Sequence, residues 1–172
     1  LRPQVLDNAS PFNTPFTISV DHRDVAGRGV TAEARCYTMK RLVSPFSKAG
    51  DFVSPGHVFP LVANPAGVIG RQGQTEGSHD LARISGFEPS GVVCEILNPD
   101  GSMARGARLA QFAEEHGIRV TSVAEIIKYR VEQEVLVRRT AENRIETPSG
   151  AFRVFVFQDD VDNKEHLVLL RG

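Results

Sequence analysis

The run Gly70–Asp80, GRQGQTEGSHD, constrains this chain most. Two glycines and an arginine make a loop, and the residues that follow are spaced as a helix. A helix start leaves backbone N–H groups without intrahelical partners, and the helix dipole favours negative charge there. Gly70 and Gly73 permit close backbone approach, Arg71 can set two hydrogen bonds on one phosphate, and Thr75 stands at the expected N-cap. The same pattern suits an ordinary polar turn entering a helix. Its flanks favour an anion cradle. SPGHVFPL (Ser54–Leu61) places His57 between prolines, and GVVCEIL (Gly91–Leu97) places Glu95 inside an apolar run. His57 alone would equally suit a solvated or structural histidine. A carboxylate in an apolar run is costly to bury unless paired or functional, the other choice being an exposed strand end. Together the three pieces point to a site for a small phosphorylated substrate.

The rest of the composition narrows the class. The chain has 172 residues, 41% of them apolar, which is enough for a packed core. Net charge is −1 with both signs interspersed, so no basic stripe for nucleic acid is present. No apolar run has the length of a membrane span. Cys36 and Cys94 sit in apolar settings and predict two buried thiols in a reduced, cytoplasmic protein. Neither cysteine nor histidine shows metal-ligand spacing, and no nucleophile elbow appears. For a hard Mg²⁺ site the carboxylates near the loop are Glu76 and Glu95. Leu1 as first residue and LVLLRG as last segment predict a chain cut from a longer one.

Local patterns predict an alternation of elements. FTISV (Phe16–Val20) alternates as a half-buried strand, and Gly27 and Gly29 break the chain after it. Thr31 caps a helix with Ala32, Cys36, Met39 and Val43 on its inner face. Val58–Val62 reads as a strand at a sheet edge, because of Pro60. Thr75 opens a helix that turns Leu81, Ala82 and Ile84 inward and ends at Gly86. Gly91–Leu97 reads as a strand buried on both faces, followed by the turn Asn98-Pro99-Asp100-Gly101. A helix over Met103–His116 ends at Gly117, Ile118–Val120 is a brief strand, and Ser122-x-x-Glu125 is a capping box. Charged residues 131–143 read as helix or linker, and Phe152, Val154 and Val156 begin a hairpin closed by Leu167–Leu170.

At these pieces the chain resembles 3,4-dihydroxy-2-butanone-4-phosphate synthase of riboflavin biosynthesis. That family carries R-P-G-H-V-F-P-L, R-x-G-H-T-E-A-x-x-D-L, G-V-x-C-E-[IL] and D-G-[ST]-M-A-R. Here the same stretches read Ser54-PGHVFPL, Arg71-QGQTEGSHDL, GVVCEIL and Asp100-GSMAR. PFNTPFTISVD resembles the family's threonine-bearing strand, and GVTAEARCYTM its G-V-T-T-G-x-S-A-x-D-R segment. TPSGAFRVFVFQDDVDNKEHLVLLRG is similar to the opening hairpin of GTP cyclohydrolase II, in the order of the bifunctional fusion.

The resemblance implies an α+β fold, an α/β/α sandwich with a C-terminal β-hairpin from a second domain. It divides the chain into a synthase-like domain over 1–130, a linker over 131–143 and the start of a cyclohydrolase-like domain over 144–172. It implies conversion of ribulose 5-phosphate to 3,4-dihydroxy-2-butanone 4-phosphate and formate by a homodimer using Mg²⁺ or Mn²⁺. Catalytic roles fall on His57 and Glu95, and substrate contacts on Arg71, Gly73, Thr75 and Thr14. The family's metal-binding histidine is Gln74 here, and the family's acidic D-x-x-x-R-E-x-E-x-D segment has no counterpart in this sequence. Those departures leave an alternative: a homologue that binds a sugar phosphate or dimerises without turnover, or acts on a related substrate.

Overall fold

The computed structural model describes residues 1–28 and 30–171. Gly29, read above as a chain break, lies outside the described residues. The fold is α+β, with four α-helices and two antiparallel sheets among the described residues. It forms two compact units, one of Leu1–Ala63 with Ala82–Gly91 and one of Asn64–Leu81 with Val92–Gly172.

In the first unit, β1 (Val20–His22) pairs antiparallel with β2 (Phe52–Val58). The strand expected at Phe16–Val20 begins later, and Phe16 and Thr17 contribute isolated bridges to Leu61 and Pro3. Helix α1 (Ala32–Leu42) starts where expected, with the Thr31 hydroxyl accepting from the Ala34 N–H at 3.2 Å. Its buried residues are Ala34 and Thr38, not the expected stripe through Cys36. Thr38 is drawn inward because its hydroxyl accepts the His22 N–H at 3.0 Å, which ties α1 to β1. His22 in turn stands edge-on to Tyr37 and Phe52, at centroid distances of 5.1 and 5.4 Å.

In the second unit the organising element is α2 (Gln74–Ile84), which runs on past Leu81. It begins at Gln74, so Thr75 lies inside the first turn and is not the N-cap. Gly86 ends it with φ of +79°. The inward residues are Glu76, Gly77 and Asp80, whereas Leu81 is exposed. This reverses the expected apolar face, and the reason is pairing. Asp80 is 1% exposed and accepts from the Val68 N–H at 2.9 Å and from Arg130 Nη1 at 2.9 Å. Arg130 comes from α4 (Val123–Gln133), also donates to the Ala66 carbonyl at 2.6 Å, and grips Glu134 with Nε and Nη2. Helix α4 opens with the expected Ser122–Glu125 capping box. Gly67 faces Asp80 with φ of +59°, and a Cβ there would enter the Asp80 carboxylate.

Three expected strands, Val58–Val62, Gly91–Leu97 and Ile118–Val120, are absent among the described residues: β2 already ends at Val58, and Leu61 makes only an isolated bridge to Phe16. The GVVCEIL run is mostly exposed and has no regular structure, with a bridge between Leu97 and Met103 around the expected Asn98–Gly101 turn. Cys36 and Cys94 are both exposed free thiols, which corrects the expected burial. Helix α3 is shorter than expected, Ala107–Glu115, with Gly117 beyond its end at φ of +62°. Residues 137–143, read as helix or linker, belong to strand β3 (Val137–Thr147). It pairs with β4 (Gly150–Asp159), which pairs with β5 (Glu165–Leu170). The charges of β3 do not oppose this, because the strand is exposed along its length and its arginines pair across the surface. Arg139 and Arg153 lie over the Phe155 ring and both reach Glu142.

Removing Arg130 would take a hydrogen-bonded cation away from the buried Asp80 carboxylate. Arg130→Ala is therefore expected to lower unfolding stability by about 3–5 kcal/mol, read by urea denaturation. Burial opposes the Asp80 charge, but hydrogen bonds from Val68, His79 and Arg130 outweigh it and hold the carboxyl below the usual aspartate range. A depressed folded-state value adds stability above the unfolded value, and that stability is lost as pH falls through the folded value. Stability of the wild type is expected to drop steeply on the acid side of the ordinary aspartate range. In Asp80→Asn the drop should be shallower; equal slopes in pH-dependent denaturation would refute this.

Candidate active site

The cradle is built on α2 and the loop before it. Asn64 turns the chain, its side chain accepting the Ala66 N–H at 2.9 Å. The Gly67–Ile69 turn of 3₁₀ helix carries it on to Arg71. Glu76, fully buried on the first turn of α2, closes the loop from beneath. One of its oxygens accepts the Asn64 N–H at 3.0 Å and the other accepts Arg71 Nη1 at 2.7 Å. A buried carboxylate requires such partners, so the acid fixes both ends of the loop. Arg71 folds across Gly73, where a Cβ would strike the guanidinium and the Glu76 carboxylate. The glycine therefore makes room for the ion pair. Thr75 is half-buried on the first turn, and its carbonyl accepts from Ser78 at 2.9 Å.

Gln74 and Glu95 meet in this unit. The Gln74 amide donates to Glu95 Oε1 at 2.9 Å. This hydrogen bond, with one from the Glu95 backbone, holds the Glu95 carboxyl below its usual range, so it is ionised at neutral pH. Glu95 is exposed, which corrects the expectation of a carboxylate buried in a strand. Periodicity failed here because no strand among the described residues pairs along GVVCEIL. Of the open choices weighed for Glu95, exposure is the one realised.

His57 and Thr14 belong to the first unit. Thr14 lies in a loop where its N–H donates to Ser10 Oγ at 2.8 Å and its carbonyl accepts from Asn8 and Phe16. His57 is in β2, at an irregular part of the ladder. Val20 pairs with Val58 but Asp21 with Val53, so Ser54–His57 bulges between those pairs. The bulge contains a cis Ser54–Pro55 peptide bond. His57 Nδ1 lies 2.7 Å from Asp21 Oδ2, and the His57 N–H donates to Asp21 Oδ1 at 2.9 Å.

Four polar residues escaped the sequence reading in these roles: Asp21, Glu76 as a brace for Arg71, and the paired Asp80 and Arg130. Asp21 ends the alternating FTISV run. Glu76 and Asp80 stand at i and i+4, a spacing that places two acids on one helix face. Such acids are ordinarily solvated, and only their distant partners distinguish these.

The chain and its fold have known relatives. The family model for 3,4-dihydroxy-2-butanone 4-phosphate synthase matches residues 1–129. A curated Pseudomonas aeruginosa 3,4-dihydroxy-2-butanone 4-phosphate synthase is 44% identical over 96% of this chain and 45% of its own length. The riboflavin biosynthesis protein RibBA of Aquifex aeolicus is 41% identical over 100% of this chain and 43% of its own length. The chain thus spans less than half the length of these relatives. Among solved structures, Acinetobacter baumannii RibBX, a two-domain synthase of this kind, matches with a TM-score of 0.90 at 37% identity, covering 100% of this chain and 51% of that one. A synthase solved in complex with two magnesium ions matches with a TM-score of 0.68 at 31% identity, over 77% of this chain and 67% of that one. With a family model matched over residues 1–129 and a shared fold, this chain belongs to the 3,4-dihydroxy-2-butanone 4-phosphate synthase family.

Proposed function

We propose that this chain binds ribulose 5-phosphate and supplies acid–base groups for its conversion to 3,4-dihydroxy-2-butanone 4-phosphate and formate, a step of riboflavin biosynthesis. The observation that carries the proposal is the hydrogen bond from Gln74 to Glu95. It joins the loop suited to a phosphate with a carboxylate suited to proton transfer. In the second unit, Arg71, Gly73 and Thr75 hold the phosphate, with Glu76 setting the Arg71 guanidinium in place before the ligand arrives. Glu95, ionised and exposed, accepts a proton from a carbon beside the substrate carbonyl and returns it later. In the first unit, His57 is the second essential group and Thr14 a substrate contact, both by family resemblance.

A divalent ion such as Mg²⁺ or Mn²⁺ would polarise the substrate carbonyl when bound. The residues of this chain fit such an ion poorly. Gln74 offers a neutral amide oxygen, and its N–H is already engaged by Glu95. Among the described residues no three His, Cys, Asp or Glu side chains converge. Mg²⁺ is held by one or two carboxylates with several further oxygens, so no step is assigned through it here. The same Gln74 favours a second reading, a homologue that binds the sugar phosphate or dimerises without turnover.

The proposal extends to organisation. Residues 1–130 form the synthase domain, the boundary falls within 131–143, and 144–172 open a GTP cyclohydrolase II-like domain. The alignment of RibBA across the whole chain supports this. The proposed assembly is a homodimer and the proposed location the cytoplasm. Two free thiols and the lack of any described helix long and apolar enough to cross a membrane agree with that location.

On the second reading the 172-residue chain releases no formate from ribulose 5-phosphate with Mg²⁺. Clear turnover in a coupled formate assay would decide for the first reading. Ribulose 5-phosphate should nevertheless raise the melting temperature, and Arg71→Ala should abolish that shift. An unchanged shift in the variant would place the phosphate elsewhere.

A further inference from the structure

His57 is held more firmly than a surface histidine needs. Its bulge touches Ser19, just before β1, and Val20 and Asp21 within it. The Ser54 hydroxyl donates to the Ser19 carbonyl at 2.7 Å, and the Gly56 N–H donates to the Ser19 hydroxyl at 3.2 Å. Gly56 packs so closely on the Val20–Asp21 backbone that any Cβ would strike it. Asp21 then takes both polar groups of His57 that face it, the main-chain N–H and Nδ1. The Asp21 side chain is 6% exposed and the His57 side chain 43%. The carboxylate is therefore enclosed while the imidazole reaches solvent. Asp21 itself is locked between Val20, which is buried, and His22, which α1 holds through Thr38.

We propose that Asp21 is a positioning residue for His57. It fixes the neutral ring in the tautomer with the proton on Nδ1, leaving Nε2 as the acceptor at the exposed end. A carboxylate only accepts, so the ring nitrogen facing it must donate. Once Nδ1 carries the proton, Nε2 can take one from a substrate or a water. Catalytic use of His57 rests on the function proposed above; its tautomer does not. The surroundings permit no competing donor toward Asp21 Oδ2 among the hydrogen bonds of the described residues. Next to Asp21, His22 Nδ1 stands 3.5 Å from Asp24 Oδ2 and edge-on to Tyr37, whose hydroxyl donates to the same Asp24 oxygen at 3.1 Å.

Asp21→Asn is nearly isosteric and keeps Oδ1 for the His57 N–H, but turns an NH₂ toward Nδ1. The ring must then accept at Nδ1 and carry its proton on Nε2. The test is ¹⁵N NMR of the histidine-labelled chain at about pH 8, above the ordinary imidazole range, with His57 assigned by His57→Gln. The wild type is expected to show Nδ1 protonated and Nε2 bare, and Asp21→Asn the exchanged pair of signals. A wild-type His57 protonated at Nε2 would overturn the proposal even if the variant failed to fold. So would a folded Asp21→Asn that keeps the wild-type tautomer, because Asp21 would then be only a brace for the bulge. No substrate enters the measurement, so an absence of formate release or phosphate binding leaves its result standing.

Discussion

The second unit depends on two acids buried on one face of α2. Glu76 and Asp80 stand one turn apart, almost wholly out of solvent. An isolated carboxylate in that position would be prohibitively unfavourable, so each must draw donors from elsewhere in the chain. Glu76 draws the Asn64 N–H and Arg71; Asp80 draws the Val68 N–H and Arg130. The loop from Asn64 to Gly73 is thereby pinned at several points from beneath, and α4 is pinned to the Gly67–Ile69 turn. Gly67 and Gly73 are required where they are because the acids and Arg71 occupy the space a Cβ would take. Buried pairs of this kind add little net stability over an apolar core, but they admit one arrangement of the groups that satisfy them.

This arrangement also restrains the charged side chain of the loop. A free arginine on a surface loop samples many rotamers, and ordering it opposes binding. Here Glu76 holds the guanidinium across Gly73. On the same stretch, Gln74 leaves the helix start to reach Glu95 and keep it ionised. The first unit uses the same device on a histidine: an enclosed Asp21 holds an exposed His57 through two hydrogen bonds. In both units a buried acid orients a solvent-facing group.

Local signals translated well into structure. Thr31, the Ser122–Glu125 box, the Asn98–Gly101 turn and the glycines at 86 and 117 all stand where their chemistry predicts. Each acts through bonds to residues a few positions away, so a sequence window contains the whole interaction. Burial translated poorly. The stripe through Cys36 faces outward because Thr38 is bonded inward to His22, and Leu81 is exposed because Glu76 and Asp80 take the inner face. GVVCEIL looked like a core strand, and no strand among the described residues pairs along it. Strand β3 looked too charged to be a strand, yet its Arg139 finds Glu142 and the Phe155 ring on the exposed surface.

The sequence by itself determined the family and most helix ends, and it drew attention to the glycine-bearing loop and to His57, Arg71, Gln74 and Glu95. These follow from residue type and short spacing. Tertiary structure decided which carboxylate is buried and which exposed, that Gln74 donates to Glu95, that Glu76 rather than solvent holds Arg71, and that Asp21 stands behind His57. Those pairings span from five to thirty-six positions. A carboxylate's environment is set by donors brought to it by folding, and a linear sequence does not reveal which donors those are.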